Sequence, residues 1–88
     1  MNKLKLELIN TIEQFEQIKK GDLILVKWSD YIVRHTPYAK NIMLYNVYEN
    51  KANQNEIICQ IKGNHYFNYE RFLKGLSWVL EVYKVVED

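Results

Sequence analysis

The sequence predicts a small α+β domain with an antiparallel, strongly bent sheet of about five strands and one or two short helices. Length is the first reason, because residues 1–88 give room for one hydrophobic core and no second domain. The second is the alternation of short, β-rich apolar runs with clusters of Gly, Asn and Asp, which mark turns. The third is a hydrophobic content of 48%, rich in aromatic residues, which is enough for a compact core.

The first two predicted elements are a strand and a short helix. Three leucines alternate with charged residues over 3–9, which is the pattern of a half-buried strand: Leu4, Leu6 and Leu8. A capping box then starts the helix, formed by Asn10 or Thr11 with Glu13 or Gln14. The helix has one apolar face, made of Ile12, Phe15 and Ile18. Gly21 closes it, because glycine adopts the backbone conformation that ends helices.

The middle of the chain predicts a second strand, a long loop and a hairpin. The β-rich run 23–28 is the second strand, and 29–41 is the loop. Residues 42–49 carry apolar groups on both faces, which is typical of a central strand. One face has Met43, Tyr45 and Val47, and the other has Ile42, Leu44 and Tyr48. Turn residues over 50–55 then connect to a return strand at 56–62, with Ile57, Cys59 and Ile61 on one face.

The last part of the chain predicts a second short helix and a final strand. Asn68 is the helix cap, and Gly75 lies near the helix end. The apolar residues between them have helical spacing: Tyr69, Phe72, Leu73 and Leu76. The strand follows over 78–86, with Trp78, Leu80, Val82 and Val86 on one side. This order of elements resembles small five-stranded barrels of the Src-homology-3 type, and an open sheet flanked by one helix fits the same order.

Charge and cysteine content narrow the classes of function. A formal net charge of +1 does not support binding to a polyanion by bulk charge. A single cysteine, Cys59, forbids an internal disulfide and indicates either a reducing compartment or a protein that is indifferent to redox conditions. The sequence contains neither the ~20 consecutive apolar residues of a membrane span nor a signal-peptide pattern at residues 1–5. We therefore expect a cytoplasmic protein that does not contact membranes.

The first candidate binding surface is the loop 29–41 together with the end of the strand before it. Its side chains suit contact with a partner, because aromatic rings stack and cations meet carboxylate or phosphate. They are Lys27, Trp28, Tyr31, Arg34, His35, Tyr38 and Lys40. Long ordered loops in small domains are often functional. The alternative is that residues 31–33 fold back onto one end of the sheet and leave only the charges in water.

The second candidate surface is the segment 63–71. His65, Tyr66 and Arg71 are the residues that we expect to be exposed, whereas Phe67 and Tyr69 are expected in the core. If the sheet closed into a barrel, this segment would lie beside the 29–41 loop and form one continuous aromatic and basic surface with it.

Metal binding and catalysis have little support in the sequence. His35, Cys59 and His65 lack the close paired spacing of zinc ligands, and Cys59 reads as a small buried hydrophobe. Ser29, Asp30 and His35 are close in sequence, but nothing supplies an oxyanion site. With three glycines in the chain, a glycine-rich phosphate loop is absent as well. We therefore expect no cofactor, no metal and no enzymatic activity.

The leading functional hypothesis is a non-enzymatic module that binds a larger protein through the aromatic and basic loop surface. The abundance of Asn, Lys, Ile and Tyr, which use AT-rich codons, is consistent with a bacterial or phage accessory or inhibitor protein. The alternative is a nucleic-acid-binding small barrel with phosphate contacts from Lys27, Arg34, Lys40, His65 and Arg71 and stacking by Tyr31, Tyr38 and Tyr66. Homodimerisation through the strand edge at 3–9 stays open.

Overall fold

The computed structural model describes residues 3–37, 39–60 and 63–87. Within these ranges, six strands and three short α-helices follow one another along the chain. In order they are β1 (Leu4–Leu8), α1 (Ile12–Glu16), β2 (Leu23–Trp28), α2 (Asp30–His35), β3 (Ile42–Lys51), β4 (Glu56–Gln60), β5 (Asn64–Asn68), α3 (Tyr69–Leu73) and β6 (Val79–Glu87). A 3-10 turn over Ala52–Gln54 joins β3 to β4. The α+β class is therefore confirmed.

The strands form one antiparallel sheet in the order β1-β6-β2-β3-β4-β5. In the described residues, the edge strands β1 and β5 do not pair with each other, so the sheet stays open and does not close into a barrel. The predicted β3–β4 hairpin is confirmed, and β3 lies between β2 and β4 as expected of a central strand. The final strand, β6, does not pair with β5, the strand before it in the chain. It lies between β1 and β2.

Local sequence signals account for where α1 and α3 begin. The Thr11 hydroxyl accepts a hydrogen bond from the Gln14 amide, and the Gln14 side chain in turn accepts from the Thr11 backbone. The side chain of each residue thus accepts a hydrogen bond from the backbone amide of the other, and both amides would otherwise be unpaired at the start of the helix. The Asn68 side chain caps α3 in a similar way by accepting from the amide of Arg71.

Two elements differ from the sequence-based prediction. The predicted loop 29–41 contains the helix α2, which begins after Ser29 although the Ser29 side chain makes no capping hydrogen bond. The segment before α3 forms a sixth strand, β5, which pairs with β4 along its whole length. The prediction of about five strands was therefore one strand short.

The hydrophobic core lies on one side of the sheet, here called the inner face. Alternate residues of the central strands point to it and are buried, among them Ile24, Val26, Tyr45 and Val82. The helices α1 and α3 pack over this face through Phe15 and Tyr69, whose side chains are fully buried. None of the helices in the described part of the chain is long and apolar enough to cross a membrane.

Two bulges change which residues face inward. Leu80 is the extra residue between the pairs Lys27–Glu81 and Trp28–Val79, so Val79 and not Trp78 or Leu80 packs into the core. The prediction that Trp78 and Leu80 share one side of the strand with Val82 was therefore wrong, because both are exposed whereas Val82 is buried. Tyr48 is the extra residue of the second bulge, between β3 and β4.

Candidate functional site

The most exposed aromatic cluster of the described chain lies at the end of β2, where α2 begins. Tyr31 of α2 stacks on Trp78, with ring centroids 4.4 Å apart and an interplanar angle of 16°. Tyr31 is 51% exposed to solvent and Trp78 is 53% exposed. His35, one turn further along α2, meets the Tyr31 ring edge-on at 4.3 Å. The three rings form a continuous aromatic surface that faces water.

Backbone and side-chain hydrogen bonds fix the position of this cluster. The Ser29 amide donates to the Trp78 carbonyl at 2.9 Å, which ties the start of α2 to the residue before β6. The Asn41 side chain donates to the Asp30 carboxylate at 2.9 Å, and the Trp28 amide donates to the Asn41 carbonyl at 2.7 Å. The return segment before β3 is therefore held against the first turn of α2, and the aromatic surface is built before any partner arrives.

Basic residues belong to the same segments as the aromatic cluster. Arg34 and His35 lie in the last turn of α2, where basic residues complement the partial negative charge of a helix end. Lys40 is exposed in the return segment, directly before Asn41. We use the name α2 surface for Tyr31, Arg34, His35, Lys40 and Trp78. Cations beside stacked rings can meet carboxylates or phosphates while the rings contact apolar groups or bases.

A second candidate site is a small cleft on the inner face, beyond the part covered by α1 and α3. Its volume is about 110 Å³. Residues of four strands line it, including Trp28 from β2, Tyr45 from β3, Cys59 from β4 and His65 from β5. The Trp28 indole donates a hydrogen bond to the Tyr45 hydroxyl at 3.2 Å, and the Tyr45 and His65 rings meet edge-on at 5.9 Å. The cleft is thus apolar with a few polar groups at its wall.

Burial raises the pKa values of Tyr45 and Cys59, which line this cleft. Desolvation raises the pKa of Tyr45, although the hydrogen bond from Trp28 partly offsets this. Desolvation also raises the pKa of the Cys59 thiol to about 11. At neutral pH the thiol is therefore protonated, and a protonated, buried thiol is a poor nucleophile and metal ligand.

The ten residues predicted for binding fall in different places. Trp28, His65 and Tyr66 line the inner cleft, while Tyr31, Arg34, His35 and Lys40 belong to the α2 surface. Lys27 lies on the opposite side of the sheet, where its ammonium group contacts the Glu81 carboxylate at 3.3 Å. Arg71 is exposed on α3 at the other end of the sheet, where its neighbour Glu70 accepts a hydrogen bond from Asn55 of the β3–β4 turn. Tyr38 lies outside the described residues.

The Ser29, Asp30 and His35 grouping does not form a catalytic arrangement in the described chain. The Ser29 hydroxyl is buried with no hydrogen-bond partner among the described residues, and the Asp30 carboxylate is engaged by Asn41. The His35 ring contacts Tyr31. Over the same ranges, the structure holds no group of three His, Cys, Asp or Glu side chains placed to bind a metal ion.

Sequence reasoning missed Trp78 and Tyr45 as site residues. Trp78 was predicted only to share one side of the last strand with Val82, but the bulge at Leu80 leaves it exposed while Val82 is buried. Tyr45 was assigned only to a strand face. No local signal marks either residue. Trp78 stacks on Tyr31, which is 47 positions away in the chain, and Tyr45 accepts a hydrogen bond from Trp28, which is 17 positions away.

No protein-family model, curated protein or solved structure matches the chain.

Proposed function

We propose that the protein is a non-enzymatic binding module that contacts a larger protein through the α2 surface. The observation that carries the proposal is the exposed stack of Tyr31 on Trp78 with Arg34 on the same helix. Tyrosine, tryptophan and arginine are the residues that dominate binding energy at protein interfaces. Large rings are otherwise costly to leave in water, which makes a partner the simplest reason for their exposure.

The free energy available at the stack is large enough for recognition. An aromatic side chain buries about 150–250 Å² when it is covered, so two half-exposed rings offer roughly 200 Å² together, or about 5 kcal/mol of apolar burial. The two rings already contact each other, and His35 supports one of them. Little side-chain freedom is therefore lost on binding, which favours affinity.

The inner cleft supplies an adjacent place for one partner side chain. Trp28, at its wall, directly precedes Ser29 and α2 in the chain. A cleft of about 110 Å³ is far smaller than the roughly 300–1,000 Å³ of typical small-molecule sites. Its size and apolar wall suit a single aliphatic side chain and not a substrate with its cofactor. The raised pKa of Cys59 also supports a binding role over a catalytic one.

The composition supports a setting for this module. Residues with AT-rich codons are abundant, and the near-neutral charge suits a protein partner better than a polyanion. A cytoplasmic bacterial or phage accessory protein, such as an inhibitor that covers a surface of a host enzyme, has these properties. The partner is accordingly sought in a bacterial lysate.

A capture experiment with matched variants tests the proposal. Wild-type protein, Tyr31→Ala, Trp78→Ala and the control Tyr48→Ala are immobilised, and bound lysate proteins are quantified by mass spectrometry. Tyr48 is a partly exposed tyrosine that lies outside the α2 surface. We expect a protein that binds the wild type and the control but is lost with both α2-surface variants. If every captured protein binds all four forms equally, the proposal is wrong.

Nucleic-acid binding is the second candidate, because an exposed stack beside Arg34 and Lys40 also resembles a platform for bases. Synthetic single- and double-stranded oligonucleotides test it at two salt concentrations. Phosphate-driven affinity should fall by orders of magnitude between about 50 and about 200 mM salt. An absence of binding at the lower salt concentration would exclude this candidate and leave the protein partner.

A further inference from the structure

The side of the sheet opposite α1 and α3, here called the outer face, is apolar and open to solvent. Residues that alternate with the buried ones point to it, including Leu4 and Leu6 of β1, Leu25 of β2 and Leu44 of β3. Leu4, Ile42 and Leu44 leave 70%, 56% and 52% of their surface exposed. Antiparallel sheets with one solvated face normally place polar residues there. The outer face does not follow this rule.

The aliphatic side chains of the outer face are contiguous across four neighbouring strands. The cross-strand pairs Leu6–Val85 and Leu25–Leu44 lie on β1–β6 and β2–β3, and these four strands are adjacent in the sheet. A shallow groove of about 250 Å³ on this face is lined by Leu4, Leu6, Leu23, Leu25, Leu44 and Val85 together with one charged residue, Lys5. A contiguous apolar patch of this kind marks an interaction site.

We propose that the outer face is the contact surface between two copies of this chain, packed sheet against sheet. The proposal is independent of the function assigned to the α2 surface.

The area of the apolar patch fits a small, weak dimer interface. Its four strands, about 4.8 Å apart and about five residues long at about 3.3 Å per residue, cover roughly 320 Å² in plan on each copy. The relief of the side chains raises the accessible area above this value, which stays below the ~800 Å² that each partner of a standard interface buries, so we expect a dimer that forms only at high concentration. Two sheets pack face to face at about 10 Å through interdigitating side chains, which the open groove between the leucines allows.

The charges on the face favour a second copy over an unrelated protein. Lys27 and Glu81 lie opposite each other on β2 and β6, the two middle strands of the apolar patch, and contact at 3.3 Å. They neutralise each other, so the face requires no partner of opposite sign. If the two-fold axis runs along the strands between β2 and β6, Lys27 of each copy meets Glu81 of the other. Interfaces between identical chains are also more apolar than those between different chains, as this face is.

Sedimentation of the purified wild-type protein tests whether the dimer forms. We expect the mass to rise from 10.6 kDa toward twice that value as concentration increases. We also expect the melting temperature to increase with concentration over about 1 to about 200 µM, because dimer formation stabilises the folded state by mass action. A mass of 10.6 kDa over the whole concentration range would overturn the proposal.

Leucine-to-lysine variants test the position of the interface. Leu6→Lys and Leu44→Lys place a charge in the patch, and Leu76→Lys makes the same change at an exposed leucine outside it. A charge buried without a partner should weaken the dimer by roughly 100-fold or more for the first two, whereas the control should match the wild type. Circular dichroism confirms that each variant is folded. A dimer unaffected by the first two changes would place the contact elsewhere, such as the edge of β1, and overturn the proposal.

Charge reversal tests the two-fold arrangement directly. Lys27→Glu alone and Glu81→Lys alone each put like charges between the two facing copies and should lose dimerisation. An equimolar mixture of the two variants should recover a dimer, because each copy then offers the sign that the other needs. If the wild-type protein forms a dimer but the mixture of the two variants does not, Lys27 of one copy does not face Glu81 of the other, and the proposed arrangement is wrong.

Discussion

The rings of Phe15 and Tyr69 lie parallel, with centroids 4.9 Å apart and an interplanar angle of 4°, and both residues are fully buried. This contact joins α1 to α3, two helices that are more than fifty residues apart in the chain. Phe67 and Phe72 pack around Phe15 at centroid distances of 6.0 and 5.7 Å. The four rings fill the inner face at the end of the sheet opposite α2.

The Tyr69 hydroxyl makes Tyr69→Phe a stabilising substitution. That hydroxyl is buried and has no hydrogen-bond partner in the described part of the chain. Removing it should raise the free energy of unfolding by about 1 kcal/mol, because the cost of desolvating an unpaired polar group disappears. Urea denaturation measures the change. Tyr45→Phe is the matched control and should lose about 1 kcal/mol, since the Tyr45 hydroxyl accepts from Trp28.

Asn50→Asp should lower the free energy of unfolding by an amount that depends on pH. The Asn50 side-chain amide donates to the carbonyl oxygens of Phe15 and Ile18, at 2.8 and 2.6 Å. A carboxylate there cannot donate and faces two acceptors, so we expect a loss of about 2 kcal/mol or more at pH 7. The pKa of the introduced carboxyl is raised in the folded state, so the loss should shrink as the pH falls toward about 4.

Asn46→Asp is the control for that prediction, because Asn46 is an exposed residue of the same strand. It should change the free energy of unfolding by less than about 0.5 kcal/mol. An Asn50→Asp variant as stable as this control at pH 7 would show that the two hydrogen bonds do not hold α1 to β3.

The Cys59 thiol predicts lower stability at alkaline pH. Its pKa rises from 9.0 to about 11 on folding, so above pH 9 the unfolded chain loses a proton that the folded chain retains. Stability contributed by Cys59 is therefore complete below pH 9 and is lost as the pH rises to about 11, at a cost of about 2–3 kcal/mol. Cys59→Ala should flatten the stability profile over this interval relative to the wild type. Equal slopes in the two proteins would contradict the burial of the thiol.

The two tryptophans predict different access to a soluble quencher. Trp78 is half exposed, whereas Trp28 is only partly exposed and hydrogen-bonded to Tyr45. Iodide should therefore quench the fluorescence of Trp28→Phe, which retains Trp78, more strongly than that of Trp78→Phe. Since Trp78 contributes little to the core, Trp78→Ala should cost less than about 1 kcal/mol of stability. Equal quenching of the two variants would show that the proposed α2 surface is covered.

Local signals in the sequence were sufficient for the caps and the central hairpin. The spacing of Thr11 and Gln14 and the position of Asn68 each involve residues within one helical turn, so the pattern contains the whole interaction. The sixth strand was missed because Asn64, His65 and Asn68 are poor strand formers. It forms through pairing with β4, which supplies hydrogen bonds along its length. The order of strands in the open sheet was not predicted, because β6 lies between β1 and β2 and pairs there with residues distant in the sequence.

The candidate site was predicted less completely than the fold. Tyr31, Arg34 and His35 were singled out from their residue types, but the ring that stacks on Tyr31 comes from the far end of the sequence. The bulge at Leu80 decides that Trp78 faces water, and no pattern in the strand reveals that extra residue. The structure also divides the predicted residues between two sides of the sheet, because Lys27 and Trp28 are neighbours on a strand and point in opposite directions.

The location of β6 between β1 and β2 has a consequence for synthesis on the ribosome. Leu4 pairs with Glu87, so β1 has its neighbour only after nearly all of the described chain has been made. While the chain is still emerging, β2, β3, β4 and β5 can already pair in sequence order, but β1 and the free edge of β2 stay uncovered. We therefore expect β1 to be the last strand to enter the sheet, after β6 has been synthesised and has paired with β2.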